Sequence, residues 1–466
     1  MPAERMTLKT NSKTDLSDRS AMAQASALRV LERLRAQGHD AYFVGGCVRD
    51  LLLGTSPQDY DIATSAHPDQ VMSQFSNTIA VGVQFGVVLV VDADGSAANE
   101  PIHVEVATYR SDVGYSDGRH PDAVRYSETA EQDVQRRDFT INGLLLDPLN
   151  NEVLDYVGGR SDLERKIIRT IGDPRQRFRE DKLRMMRAVR FAARLGYEIE
   201  PNTMAAIREL AREIHQVSRE RIRDELDKML TEGRARRCFE LLDATGLLVE
   251  VLPEVKALQG VEQPPQYHPE GDVWVHTLLL LEGLEKGCAK SLAWGVLLHD
   301  VGKPPTFRVA PDRIRFDQHA EVGTRMTEDI CRRLRFSNEI TEQVSALVAN
   351  HMRFGDVRKM KESTLKRFMR LPHFEEHLEL HRLDCSASHR DLSLYEFVRE
   401  KLARTPQEEI RPAPLITGLD LIEHGWKPGP RFRTVLQAVE DAQLEGVLHS
   451  REEAMSFVET NFPPQD

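Results

Sequence analysis

The sequence predicts an α+β fold, a mixed head followed by an all-helical remainder, and two observations carry that reading. Strand-like runs, Ala41–Val44, Val87–Val91 and Ile102–Tyr109, fall within the first 150 residues, between loops rich in Gly, Asp and Ser. From about Ser161 nearly every stretch reads as amphipathic helix, broken at Pro253, Gln263–Pro269, Pro304–Pro311 and Arg411–Pro414. A length of 466 residues suits about two to four domains. A hydrophobic share of 40% fills ordinary cores and excludes whole-chain disorder.

Residues 1–22 are polar and are expected to form a mobile tail, without the apolar core of a secretion signal. No apolar run reaches the ~18 residues that span a bilayer. Five scattered cysteines without a C-x-x-C pair argue against a disulfide framework and suit a reducing cytoplasm. A net charge of −12 argues globally against a polyanionic partner. The charge is uneven, however. Residues 161–240 hold 20 basic and 15 acidic side chains, a net of +5, which leaves −17 elsewhere. A basic helical block in an acidic chain is what a local polyanion site looks like.

Ala21–Gln37 has helical periodicity, and Ala41–Val44 is a strand ended by Gly45-Gly46. A helix-like stretch, Val48–Leu53, follows. A strand, a Gly-Gly turn and a helix start form either an ordinary turn or a phosphate cradle, with Gly46 admitting a phosphate and Arg49 reaching it. Asp59 and Asp61 come next. On a strand, period-2 geometry puts them on one face, as a site for a hard cation such as Mg²⁺ or as a solvated acidic turn. A metal pair beside a triphosphate cradle is the minimum for nucleotidyl transfer. Glu105, in a later alternating run, is either a third carboxylate or an exposed strand residue.

These residues resemble the first motif of the class II tRNA nucleotidyltransferases, the CCA-adding enzymes and their poly(A) polymerase relatives. The resemblance continues in order through Asp133–Asn142, Asp155–Asp162, Glu180–Arg184 and Glu220–Glu225, over roughly residues 23–245. It implies a polymerase-β-like catalytic head, with Asp59 and Asp61 catalytic and Mg²⁺ on the two aspartates, beside which Glu105 is the candidate third catalytic carboxylate. Arg137, Asp138 and Asn142 lie in what resembles the ribose-reading motif. Asp181 and Arg184 are then expected to hydrogen-bond the base edge of incoming CTP or ATP, accepting C or A without a nucleic-acid template. Arg187 and Arg190 are expected to hold the triphosphate and its neighbours. On the helix Asp181–Leu195 the arginines form one stripe and Met185, Val189 and Ala192 another. Few carboxylates at i±4 are expected to neutralise that stripe, so it is a solvated face or an anion-binding one.

Poly(A) polymerases of this class tend to carry a basic stretch after the first motif. Val81–Gly86 has neither Lys nor Arg in that place, which favours CCA addition. The loop Arg110–Asp122 is similar to the flexible loop of full CCA-adders, a feature that A-only enzymes also keep.

A second constellation consists of His276, the pair His299-Asp300 within H-D-V-G-K-P, and distant Asp384. These are divalent-metal ligand types on separate helices, or else a polar packing cluster. They resemble the HD phosphohydrolases, in which a metal activates water against a phosphoester. His319 and His351 either extend the set to a second metal or are plain histidines. The expected domains are a tail (1–22), the nucleotidyltransferase head (23–160), a helical neck and body (161–252), an HD domain (253–405) and a helical tail (406–466). Thr417–Gly446 resembles tail helices that lie near the tRNA elbow, and simple helical packing accounts for it equally well. The expected partners are tRNA, CTP and ATP. The rival readings are a poly(A) polymerase, an A-only-adding enzyme, and an HD phosphohydrolase with an RNA-binding head.

Overall fold

The computed structural model describes residues 13–82, 86–92, 101–113, 123–127, 129–266 and 268–463. The chain forms two compact units, Met1–Glu225 with Arg237–Val251, and Leu226–Arg236 with Leu252–Asp466.

The first unit opens with helix α1 (Lys13–Ala36), so the polar segment expected to be a tail to residue 22 is helical from Lys13; residues 1–12 lie outside the described residues. The head continues with β1 (Ala41–Val44), α2 (Gly46–Leu52), β2 (Asp61–Thr64), α3 (Pro68–Gln74), β3 (Thr78–Gly82), β4 (Val87–Asp92) and β5 (Ile102–Thr108). It is completed by β6 (Arg110–Val113), β7 (Ala123–Tyr126), α4 (Ala130–Gln135), β8 (Leu145–Asp147) and β9 (Glu152–Leu154). Seven strands make one sheet in the order β3-β4-β5-β2-β1-β8-β9. Strands β2 and β5 run parallel and set Asp61 opposite Glu105. The antiparallel β1–β2 pair sets Val44 opposite Asp61. Alternation explains the burial: Phe43, Ile62, Val104 and Val106 point into the core while charged residues between them face out. Gly45 turns the chain from β1 into α2 with φ +79°, a conformation that costs glycine least.

Beyond the sheet the unit is helical: α5 (Gly159–Arg165), α6 (Pro174–Glu180), α7 (Leu183–Leu195), α8 (Pro201–Leu210), the start of α9 (Arg219–Thr231), which runs on into the second unit, most of α10 (Ala235–Ala244), and α11 (Leu247–Val251). Two-residue strands β10 (Ile167–Ile168) and β11 (Glu198–Ile199) pair in parallel. The apolar stripe of α7, including Met185, Val189 and Ala192, is fully buried, and Gly196 ends the helix in the left-handed region.

The second unit contains α12 (Pro253–Lys256), α13 (Val273–Glu282), α14 (Lys290–Leu298), α15 (Lys303–Thr306), a hairpin of β12 (Phe307–Val309) and β13 (Ile314–Phe316), and α16 (His319–Arg333). It continues through α17 (Asn338–Asn350), α18 (Glu362–Met369), α19 (Phe374–Ala387), α20 (Ser393–Arg404), α21 (Gln407–Ile410), α22 (Gly418–Glu423), α23 (Pro430–Leu444) and α24 (Arg451–Asn461). Helix α14 is buried from Ser291 to Leu298, and its Trp294 donates to Asp227 at 2.8 Å. Pro253 and Pro304, read from sequence as breaks, each occupy the first turn of a short helix, where a missing N–H costs nothing. Leu421, Val435, Val439 and Val458 form a separate apolar cluster near the C-terminus.

Candidate active site

In the head, the Gly45 turn delivers Arg49 to the first turns of α2. Arg49 is buried, and its Nη1 donates to Asn142 Oδ1 at 2.8 Å. Asn142 Nδ2 donates to Asp138 Oδ1 at 3.3 Å, and Arg187 donates to Asp138 Oδ2 at 2.9 and 2.7 Å. Burial alone raises the Asp138 carboxyl, but Arg187 and Arg184 outweigh it and hold the group below the usual carboxylate range. The guanidiniums of Arg49, Arg187 and Arg190 lie 5.5, 5.3 and 4.6 Å from the Phe191 ring. One polar chain therefore joins the Gly-Gly turn, the Asp133–Asn142 stretch and α7.

Strand β2 begins at Asp61, so Asp59 stands exposed in the approach to it. Tyr60 and Ile62 are buried between and beyond the two aspartates, so the alternation still runs through Asp59. Burial, then the neighbouring Glu105 and Asp59 charges, push Asp61 up to about 7, against the pull of Arg137. The Glu105 carboxyl reaches solvent, yet withdrawal of water around it raises it as well. Arg137 is clamped by Asp133 at 2.8 and 3.1 Å, and Asp133 also holds Arg136. Among the described residues the three carboxylates do not close to within 4.8 Å of one another as a group. An all-oxygen donor set with a carboxylate driven toward its proton fits a hard divalent cation, which relieves the same repulsion.

Asp181 accepts from Arg221 Nη2 at 2.7 Å. Arg184 donates to Glu180 at 2.8 Å and to the Arg136 carbonyl at 3.1 Å. Arg190 is buried and paired with Glu225 at 2.7 Å. The expectation of an unneutralised stripe is therefore corrected: Glu180 stands at i−4 of Arg184, while Asp138 and Glu225 arrive from distant segments. Sequence reasoning missed Asp133, Glu180 and Phe191 as organising groups. The D-x-x-R-R spacing of Asp133, Arg136 and Arg137 was a usable signal for the first. The Val81–Gly86 and Arg110–Asp122 readings rest on residues 83–85 and 114–122, which lie outside the described residues.

In the second unit every histidine of the other constellation converges. His299, His319 and His351 each direct Nδ1 to a backbone carbonyl, Val296, Phe316 and Val348, at 2.8, 2.9 and 2.7 Å. A carbonyl only accepts, so these Nδ1 atoms carry the protons and the Nε2 lone pairs face inward. His319 and His351 bring Nε2 to Nε2 at 3.2 Å, and His276 and His299 do so at 3.4 Å. Asp300 lies between the pairs, with Oδ2 3.2 Å from His299 and Oδ1 3.7 and 3.9 Å from His319 and His351. Asp384 Oδ1 is 3.1 Å from His276 Nε2. The facing Nε2 lone pairs of His319 and His351 repel, and the backbone-fixed tautomers of His299, His319 and His351 beside two carboxylates are a metal-ligand arrangement, so the donor set fits divalent metal. Burial pulls His276 down, but Asp384 and Glu270 outweigh it and lift it to about 9; burial and His299 push His351 down to about 4. Sequence reading missed Glu270, 2.7 Å from His276 Nδ1, and Lys303, 2.7 Å from Asp300.

Residues 41–169 match the family described as the Poly A polymerase head domain. Residues 196–259 match the "Probable RNA and SrmB-binding site of polymerase A", and residues 273–381 match the HD domain. The chain is 39% identical over 278 residues to the CCA-adding enzyme of Bacillus pumilus, covering 59% of this chain and 63% of that one. It is 46% identical over 221 residues to the CCA-adding enzyme of Geobacillus stearothermophilus, covering 47% and 53%. The chain thus spans between half and two thirds of the length of these curated relatives. The fold is similar to the crystal structure of the Bacillus stearothermophilus CCA-adding enzyme in complex with CTP, at a TM-score of 0.71 and 29% identity over 94% of this chain and 97% of that one.

Proposed function

We propose that the chain is a nucleotidyltransferase of the kind that carries the Poly A polymerase head, and that it adds CCA to the 3′ end of tRNA from CTP and ATP. The observation that carries the reading is the parallel register of Asp61 and Glu105, two strands' carboxylates set beside the Gly45 turn. Asp59, Asp61 and Glu105 would hold Mg²⁺, which when bound lowers the barrier for a tRNA 3′-hydroxyl and a pyrophosphate leaving group. In the reaction the 3′-hydroxyl gives its proton to solvent, its oxygen bonds to the α-phosphorus, the bond from that phosphorus to the α–β bridging oxygen breaks, and pyrophosphate departs. The chain Arg49–Asn142–Asp138–Arg187 orients ribose and phosphates. Asp181 and Arg184 present the base-reading edge, exchanging their bonds to Arg221 and Glu180 for the base. The five cysteines are free, in keeping with a reducing cytoplasm.

The test supplies tRNA lacking its 3′ CCA with CTP and ATP and sequences the products. CCA ends support the reading, A-only ends select the A-adding alternative, and long A tracts select poly(A) polymerase. Asp59→Ala is expected to lower addition by about 10³-fold or more while tRNA binding in a filter assay persists. Normal incorporation by that variant sinks the assignment.

A second reading is favoured by the inward-facing histidine nitrogens. His276, His299, Asp300 and Asp384, with His319 and His351, would hold divalent metal and make the second unit a phosphohydrolase. There a water oxygen bonds to phosphorus, the ester P–O bond breaks, and the alcohol leaves with the water's proton. Hydrolysis of p-nitrophenyl phosphate by metal-loaded protein, lost in Asp300→Ala, tests it.

A further inference from the structure

The segment between Asp300 and His319, two groups of the same metal-type cluster, is not a plain connection. It carries the β12–β13 hairpin, which projects Arg313, Ile314, Arg315 and Phe316 into one wall of a cavity of about 400 Å³. The floor of that cavity includes Asp300, His319, His351 and Asp384. Lys303 lies 2.7 Å from Asp300 and 5.4 Å from the Phe316 ring centre, so the hairpin is tied to the cluster at its base. Met352, which is 56% exposed, adds a further apolar surface to the cavity.

The charges on this wall are available. Arg313 stands 3.9 Å from its nearest carboxylate, Asp312, and is 44% exposed. Arg315 pairs with Asp312 at 2.8 Å, an exposed contact of the kind that contributes little and exchanges readily. Guanidiniums offer paired donors matched to phosphate or carboxylate. On the phosphohydrolase reading, Asp300, His319, His351 and Asp384 on the floor would hold the metal that takes one phosphate. Two arginines on the wall are therefore placed for a second anionic group, and Phe316 with Met352 for an apolar or planar body between the two.

We propose that the β12–β13 hairpin is the substrate-reading element of the second site and that Arg313 and Arg315 select small phosphoesters bearing a second negative charge, such as a nucleoside bisphosphate. The proposal rests on the phosphohydrolase reading for its chemistry but is tested first by binding. Adenosine 3′,5′-bisphosphate is titrated calorimetrically into full-length protein loaded with Mn²⁺, with wild type compared to Arg313→Glu, Arg315→Ala and Arg313→Lys. Bound Mn²⁺ is counted in each. The expected result is at least tenfold weaker binding for Arg313→Glu and a smaller loss for Arg315→Ala, with partial recovery in Arg313→Lys and equal metal content. In turnover, Arg313→Glu is expected to lose at least tenfold more in kcat/KM on the bisphosphate than on p-nitrophenyl phosphate, whose organic part has no charge. Binding that depends on Arg313 without hydrolysis of either ester rejects the phosphohydrolase reading and keeps the hairpin's role. No binding by wild type, or equal loss on both esters, overturns the proposal.

Discussion

At the residue scale, two kinds of buried histidine separate by their partners. His299, His319 and His351 of the cluster direct one nitrogen to a backbone carbonyl and the other inward. His377 is equally buried, yet neither of its ring nitrogens has a hydrogen-bond partner among the described residues. Burial, with Arg353 and His373 nearby, pushes it down to about 4. Its folded value thus lies below the unfolded one of about 6.5, so the fold prefers neutral His377. The associated stability is complete above about pH 6.5 and is lost as pH falls toward 4, amounting to at most ~3 kcal/mol. Urea unfolding between pH 7 and 4.5 is expected to show a shallower decline for His377→Leu than for wild type. Equal slopes reject this role. The sequence alone did not single out His377, because an isolated histidine on a helix carries no spacing signal. His299-Asp300 stood out because its motif is compact.

At the scale of elements, close approach explains a glycine that spacing only marked. A Cβ on Gly302 would lie 2.1 Å from the His319 carbonyl oxygen and 2.6 Å from the Gly323 nitrogen, both backbone atoms. The start of α16 can therefore reach the H-D-V-G-K turn only because residue 302 lacks a side chain, and that approach brings His319 to Asp300. Gly302→Ala is expected to cost about 1–3 kcal/mol by overpacking and to lower bound Mn²⁺ per chain. Gly323→Ala, whose Cβ would meet Gly302 nitrogen at 3.3 Å, is expected to do less. Unchanged metal content in Gly302→Ala counts against this account. Other elements were legible for equally local reasons. Ala41–Val44 and Val87–Val91 were legible as uninterrupted apolar runs and Ile102–Tyr109 by its alternation. Strands β6 to β9 have three or four residues each and left no period to detect. The pairing of Arg190 with Glu225 joins residues 35 positions apart, a distance at which no spacing rule operates.

At the scale of the whole molecule, the summed charge says little about where an anion could bind. The net charge of −12 hides a block at +5, and many of the block's cations are already paired, as in Arg175 with Glu209 and Arg237 with Glu198. The two constellations to which we assign the chemistry are each assembled within one compact unit and share no residue. Where two sites share no partner and act independently, their energetic effects add to within about 0.3–0.5 kcal/mol, roughly a twofold change in rate. Asp300→Ala is therefore expected to empty the histidine cluster of Mn²⁺ and abolish ester hydrolysis while CCA addition stays within about twofold of wild type. Asp61→Ala is expected to abolish addition and leave cluster metal and ester hydrolysis within the same margin, since the loss there is of a carboxylate in the head's own strand register. Metal counting and both assays on the two variants and their double mutant complete the cycle. Should Asp300→Ala depress nucleotide addition tenfold with its fold intact, the sites are coupled, and the head cannot be read as an independent catalytic unit.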